Sequence, residues 1–204
     1  MRVIVYLAHP RPDRSEANEP LFDVARKMPE ITTVDLYAEY PDFYIDIDRE
    51  QDRLQCHDVI VFQHPLYWYS IPALLKEWFD LVLEHGFAYG HDGTALTDKI
   101  ALNVVTTGAN REAYTSMGSN GAELRELFLP IQKSIELCHM HYLPPFALFG
   151  AGRATEEGRM IQHLDQYRTF LQALSTNRID IVRAKAAITV NEAFSEIVHV
   201  GGGE

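Results

Sequence analysis

The sequence predicts an α/β protein: an open, doubly wound, five-stranded parallel sheet with helices on both faces. Three observations carry this reading. Short, nearly unbroken apolar runs at Val3 to Ala8, Val59 to Phe62, Ile100 to Val105 and Phe146 to Phe149 have the character of strands buried from both sides. Segments of helical periodicity alternate with them, as βαβ connections require. The runs that begin at Val3, Val59 and Ile100 end in polar turns at His9, His64 and Thr106, and strand-end loops of an open parallel sheet meet in one crevice.

Each element has its own signal. Pro10 and Pro12 stop the first strand. From Ala17 to Met28, Leu21, Val24, Ala25 and Met28 recur at helical spacing, with Ser15 placed to cap the start. Ile31 to Tyr37 is β-rich, and beyond the Pro41 loop the polar stretch Arg49 to Gln55 reads as a short helix. Ile71 to Leu83 carries Pro72 in its first turn and sets Leu74, Leu75, Trp78, Phe79 and Val82 on one broad apolar face. Gly121 to Leu137 reads as a long helix that Pro130 kinks or breaks, and Glu156 to Leu174 as the last long helix. The segment 179–198 fits either a strand and helix or a docking arm, and the Gly201-Gly202-Gly203 end reads as frayed. The expected organisation is one domain over 1–178 with a C-terminal extension over 179–204.

Composition narrows the partners. A chain of 204 residues at 47% hydrophobic supports one ordinary core. Its formal charge of −11 argues against nucleic acid, which is held by surplus Lys and Arg. Cys56 and Cys138 show neither CxxC nor metal spacing and read as buried, reduced thiols, which suits the cytoplasm. The first residues do not form a secretory signal, and no window approaches the ~18 unbroken apolar residues of a membrane span. His139-Met140-His141 reads as ordinary packing or solvent-facing positions, so no metal is expected.

The turns carry the chemistry. The first, His9 to Asn18, offers a hydroxyl, an amide, helix-start N–H groups and two arginines, the groups that coordinate a phosphate; the plain alternative is an ordinary helix cap at Ser15. Neither GxGxxG nor GxxxxGK[ST] is present, which disfavours a Rossmann pyrophosphate turn and nucleotide hydrolysis. The second turn, His64-Pro65-Leu66-Tyr67-Trp68-Tyr69-Ser70, sets three consecutive aromatics where solvent favours polar residues, and a flat conjugated ligand explains them. The third, Thr106-Thr107-Gly108-Ala109-Asn110, supplies hydroxyls and a glycine that permits close backbone approach, as the polar edge of a heterocycle requires. Gly118-Ser119-Asn120-Gly121 lacks the GxSxG spacing of a nucleophile elbow, so hydrolysis is not supported.

Taken together, His9-Pro10 with Ser15 and Asn18, the stretch Gln63 to Lys76, Phe87-Ala88-Tyr89-Gly90 and Thr106-Thr107-Gly108 resemble the flavodoxin-like NAD(P)H:quinone oxidoreductases over roughly residues 1 to 175. Within that family, Tyr40-Pro41-Asp42-Phe43, Trp68 to Pro72, His85 to Gly90 and Leu143 to Phe146 are most similar to the ancillary subunit of the glutathione-gated bacterial potassium efflux system. The resemblance implies a flavin whose phosphate lies on Ser15, Glu16, Ala17 and Asn18 beside His9. Its isoalloxazine ring would rest on Pro65, Leu66, Tyr67, Trp68 and Tyr69 and on Thr106, Thr107, Gly108 and Ala109. It further implies a homodimer with Tyr89 reaching into a shared substrate pocket, NAD(P)H as donor, a quinone-like acceptor and ping-pong kinetics.

Tyr114 stands where quinone reductases of the mammalian type place a tyrosine implicated in charge relay, and Asn120 replaces the accompanying histidine. Asparagine does not titrate near neutrality, so a Tyr–His relay is in doubt and Tyr114 is assigned to the substrate side with Asn120. Arg159 falls where FAD-binding members place an arginine near the adenosine half, yet the potassium-system likeness favours FMN over FAD. The competing expectation is a regulatory flavin-binding subunit that docks on the cytoplasmic side of a potassium efflux antiporter, at the inner membrane through that partner, with redox activity secondary.

Overall fold

A computed structural model describes residues 1–199, so the Gly201-Gly202-Gly203 end lies outside the described residues. Strands β1 (Val3–Leu7), β2 (Ile31–Asp35), β3 (Val59–Pro65) and β4 (Ile100–Thr106) pair in parallel in the order β2-β1-β3-β4. All residues of β1, β3 and β4 are buried, as expected of a sheet covered on both faces. Val3, Val5 and Leu7 point into one core with α1 (Asn18–Arg26) and α7 (Arg159–Ser175), while Ile4, Tyr6 and Ala8 point into the other. That second core is closed by α3 (Ile47–Cys56), α4 (Ala73–Val82), α5 (Leu124–Leu127) and α6 (Leu129–Leu137). The chain is a doubly wound α/β fold, and its direction of winding reverses between β1 and β3.

The fifth strand position is filled in two pieces, β5 (His141–Tyr142) and β6 (Phe146–Leu148), both parallel to β4. Leu143-Pro144-Pro145 separates them, and a proline has no N–H to give the ladder. Three residues there face only Leu102 and Asn103 between the flanking pairs Ala101↔Tyr142 and Val104↔Phe146, so the strand bulges at the prolines.

Several sequence expectations are corrected. The β-rich run Ile31 to Tyr37 stops at Asp35, whose carboxylate accepts from the Tyr37 and Ala38 N–H groups and starts the short helix α2 (Leu36–Glu39). The helix expected over Gly121 to Leu137 begins only at Leu124; it breaks near Pro130 as expected, dividing at Phe128 with Pro130 in the first turn of α6. Cys138 is buried but Cys56 is exposed, because it closes α3 off the face that buries Glu50 and Leu54. Residues 179–198 hold helices but no strand, and they do not extend as a docking arm: α8 (Ile181–Ala186) and α9 (Phe194–Ile197) fold back, and Ala184, Val190, Ile197 and Val198 enter the core beside α1 and α7. This return covers the edge of the sheet. Val190 N–H donates to Pro145 O (3.0 Å) and Ala147 N–H to Asn191 Oδ1 (2.6 Å), satisfying backbone groups that an open edge leaves bare.

Candidate functional site

The β1 turn leads into α1. Ser15 Oγ accepts from the Asn18 N–H at 2.8 Å and so caps the helix start from just outside it. Among the described residues, the N–H groups of Glu16 and Ala17 find no protein acceptor, which leaves two donors at the positive end of the α1 dipole. His9 is buried, and its Nδ1 accepts from the Arg11 N–H at 3.0 Å. The neutral ring therefore carries its proton on Nε2, and desolvation holds its pKa below the usual histidine value. Arg11 is paired with Asp13 at 2.9 Å, whereas Arg14 makes no ion pair among the described residues. These residues, Asp13 aside, line a cleft of about 530 Å³ with Pro65, Tyr67, Thr106, Ala151 and Gly152.

The β3 turn is a tight hairpin. Tyr67 and Ser70 exchange both backbone hydrogen bonds at 3.0 Å, and Trp68 and Tyr69 between them sit at φ 50° and 62°. Consecutive left-handed residues define a type I′ turn, a conformation that asparagine and glycine occupy and bulky aromatics rarely do. The rings are not absorbed by the core: Tyr67 is 42%, Trp68 94% and Tyr69 54% exposed. The molecule thus spends backbone strain to present aromatic surface beside the cleft, a pattern associated with ligand sites.

Hydrogen bonds tie the three turns together. Asn18 Nδ2 donates to Thr106 Oγ1 (2.8 Å), joining the first turn to the third, and Leu66 N–H donates to Thr106 O (2.8 Å), joining the second to the third. Gln63 Nε2 donates to Asn18 O at 2.7 Å, and the His9 and Tyr67 rings meet edge to face at 6.0 Å. Asn18 Oδ1 remains buried without a partner among the described residues. Thr107 is anchored by its N–H to Leu148 O and by its hydroxyl to Ala109 O, both 2.9 Å or shorter. A Cβ on Gly108 meets nothing within 4 Å, so protein packing gives no reason for glycine there.

Tyr114 packs nearby, 4% exposed, with its ring tilted on Phe149 at 5.6 Å. Burial raises its pKa, while Thr107 and Asn120 beside its hydroxyl pull the other way. Asn120 Nδ2 is buried without a partner among the described residues. Tyr89 is not brought to the cleft: half-buried, it lines a separate groove between α4 and α6 with Phe79, Leu83 and Ile131. Arg159 lines a further cleft of about 640 Å³, where its guanidinium donates to Phe149 O (2.9 Å) and Gly150 O (3.2 Å) and pairs with Glu157. Ala151 and Gly152, which sequence reasoning did not single out, also line the phosphate-turn cleft. The signal was their position just after the fifth strand, the same place in the pattern as the other turns.

Comparison with known proteins agrees with this architecture. A family model described as a flavodoxin-like fold matches residues 1–171. The glutathione-regulated potassium-efflux system ancillary protein KefG of Yersinia enterocolitica is 43% identical over 172 residues, covering 84% of this chain and 93% of that protein. General stress protein 14 of Treponema denticola, solved in complex with FMN, is 33% identical with a TM-score of 0.80, covering 85% of this chain and 99% of that one. An NADPH-quinone reductase from P. pentosaceus is 29% identical with a TM-score of 0.75, covering 83% and 97% respectively. Matched over most of its length both by that family model and by the KefG relative, the chain belongs to the flavodoxin-like family.

Proposed function

We propose that the chain binds one FMN across its three turns and passes two electrons from NAD(P)H to a quinone-like acceptor, the donor leaving before the acceptor enters the same place. The observation that carries this reading is the bonded junction of the turns around a cleft whose own polar atoms, the Glu16 and Ala17 N–H groups and Asn18 Oδ1, lack protein partners. Donors at a helix start suit a phosphate, and a buried acceptor suits a ribityl hydroxyl.

In this assignment Ser15, Glu16, Ala17 and the His9 Nε2–H hold the phosphate, and Asn18 Oδ1 receives the adjoining ribityl hydroxyl. Pro65 to Tyr69 and Thr106 to Ala109 hold the ring, and Gly108 admits its edge. The bound flavin supplies the hydride chemistry, and the protein supplies orientation and a fixed electrostatic setting. Tyr114 and Asn120 border the substrate side without a proton relay between them. FMN is favoured over FAD because the Arg159 guanidinium is already engaged by two carbonyls and a carboxylate, and because the Treponema denticola relative was solved with FMN. A second copy placing its Tyr89 over the ring completes the arrangement.

The test is the absorbance spectrum of the purified protein, heat release and chromatography of its cofactor, and steady-state oxidation of NADH and NADPH with a soluble quinone. Parallel double-reciprocal lines and released FMN support the proposal; a colourless protein without quinone-dependent activity refutes it.

The likeness to KefG favours a second role on the same scaffold, docking on the cytoplasmic side of a potassium efflux antiporter. Among the described residues no helix is long and apolar enough to cross a membrane, so such an association would run through the partner. Co-purification with a tagged antiporter, against an unrelated transporter as control, tests it.

A further inference from the structure

One buried polar chain has no part in the site described so far. His64, Asn103 and Tyr142 lie on the adjacent strands β3, β4 and β5, all inside the core that α3 to α6 close. His64 and Asn103 are fully buried. His64 Nδ1 is 2.9 Å from Pro65 O, His64 Nε2 is 2.9 Å from Asn103 Nδ2, and Tyr142 Oη is 2.9 Å from Asn103 Oδ1.

Each proton in this chain has one place to go. A carbonyl only accepts, so the imidazole proton sits on Nδ1 and is donated to Pro65 O. Nε2 is then a bare acceptor and receives a hydrogen bond from the Asn103 amide. That leaves Asn103 Oδ1 facing Tyr142, whose hydroxyl donates to it. Burial holds the His64 pKa down to about 4, so at neutral pH the ring keeps this single-proton form. The Phe128 ring, at 5.8 Å, packs on the imidazole.

The consequence lies one peptide further on. The carbonyl of the Pro65–Leu66 peptide is held by His64, and its N–H by Thr106 O at 2.8 Å. This is the last peptide clamped on both sides before the strained Tyr67 to Ser70 hairpin, whose rings project into solvent and have little packing of their own. We propose that His64 is a positioning residue: through Asn103 and Tyr142 it locks the Pro65–Leu66 peptide and so fixes the pose in which the Tyr67–Ser70 hairpin meets the flavin. This rests on the flavin reading for the ligand but not for the clamp.

Two isosteric substitutions separate the role from mere core filling. In His64→Asn the side-chain amide nitrogen takes the place of Nδ1 and keeps the bond to Pro65 O. In His64→Gln the side-chain carbonyl oxygen takes the place of Nε2 and keeps the bond from Asn103, and the bond to Pro65 O is lost. Tyr142→Phe, which keeps the ring volume, removes the far end of the chain and guards against a His64 variant that does not fold.

The measurements are amide hydrogen exchange at Leu66, Tyr67 and Ser70 in the flavin-free protein, and the FMN dissociation constant by fluorescence quenching. The expected result is faster exchange at these amides and roughly tenfold weaker FMN binding in His64→Gln, the scale of one lost buried hydrogen bond. His64→Asn, which keeps the bond to Pro65 O but gives up the one from Asn103, falls between His64→Gln and wild type on both readouts, as does Tyr142→Phe. Equal exchange and equal affinity in folded His64→Gln and wild type overturn the clamp, as does an equal loss in His64→Asn and His64→Gln. A wild type that ignores FMN while His64→Gln alone loses turn protection defeats the flavin reading and still supports the clamp.

Discussion

Asn18 Nδ2 donates to Thr106 Oγ1 at 2.8 Å, a buried bond between residues 88 positions apart that joins the start of α1 to the end of β4. It makes the phosphate turn and the ring-edge turn one rigid unit. Replacing Asn18 with Ala removes this tie together with the buried Oδ1 offered to the ligand. The expected cost in FMN binding is about 1–3 kcal/mol, the range for a hydrogen bond in a charged or buried setting. Titration of the variant measures it, and Asn18→Asp adds repulsion against the phosphate and should bind more weakly still.

Trp68 and Tyr114 divide by their surroundings. Trp68 is 94% exposed on a strained turn, whereas Tyr114 is 4% exposed and part of the core. Trp68→Ala should therefore leave the unfolding midpoint nearly unchanged while weakening flavin retention. Tyr114→Phe should retain flavin and alter kcat/KM for the acceptor. Equal retention losses in the two variants contradict the placement of the ring.

Two histidines predict acid sensitivity. Burial lowers the pKa of both His64 and His163 from 6.5 to about 4. The unfolded chain binds their protons more tightly, so their contribution is complete above pH ~6.5 and is lost as the pH falls toward ~4. His163 packs against Phe146 at 4.8 Å and its Nε2 has no partner. In urea unfolding at pH 7 and pH 5, His163→Leu should reduce the stability difference between the two by about 2 kcal/mol. An unchanged difference sinks this account of His163.

A buried carboxylate organises the opposite core. Glu50 is fully buried, and it accepts from Tyr40 Oη at 2.6 Å and from Trp78 Nε1 at 3.0 Å while pairing with Arg53. Removing one member of a buried ionic network strands the others, which costs about 3–5 kcal/mol. Glu50→Ala should show that loss in denaturant unfolding without an effect on FMN affinity in the fraction that remains folded.

The runs Val3 to Ala8, Val59 to Phe62 and Ile100 to Val105 were legible because strands covered on both faces concentrate apolar residues without interruption. β5 was not, since it is two residues long and includes a polar histidine. α2 was hidden because the Asp35 cap acts inside a β-rich run. Of the candidate site, the turns themselves could be read from their composition, including the aromatics at Tyr67 to Tyr69. The bonds between them could not, because the Asn18–Thr106 contact and the His64–Asn103–Tyr142 chain depend on how distant strands come side by side.

The central claim is one planar cofactor held jointly by three strand-end turns. Equilibrium titration of the flavin-free protein with FMN, read by quenching of flavin fluorescence, tests it most directly. Saturation at one FMN per chain, weakened by both Asn18→Ala and Trp68→Ala, is the result expected. Unquenched FMN that elutes free of the folded protein contradicts it.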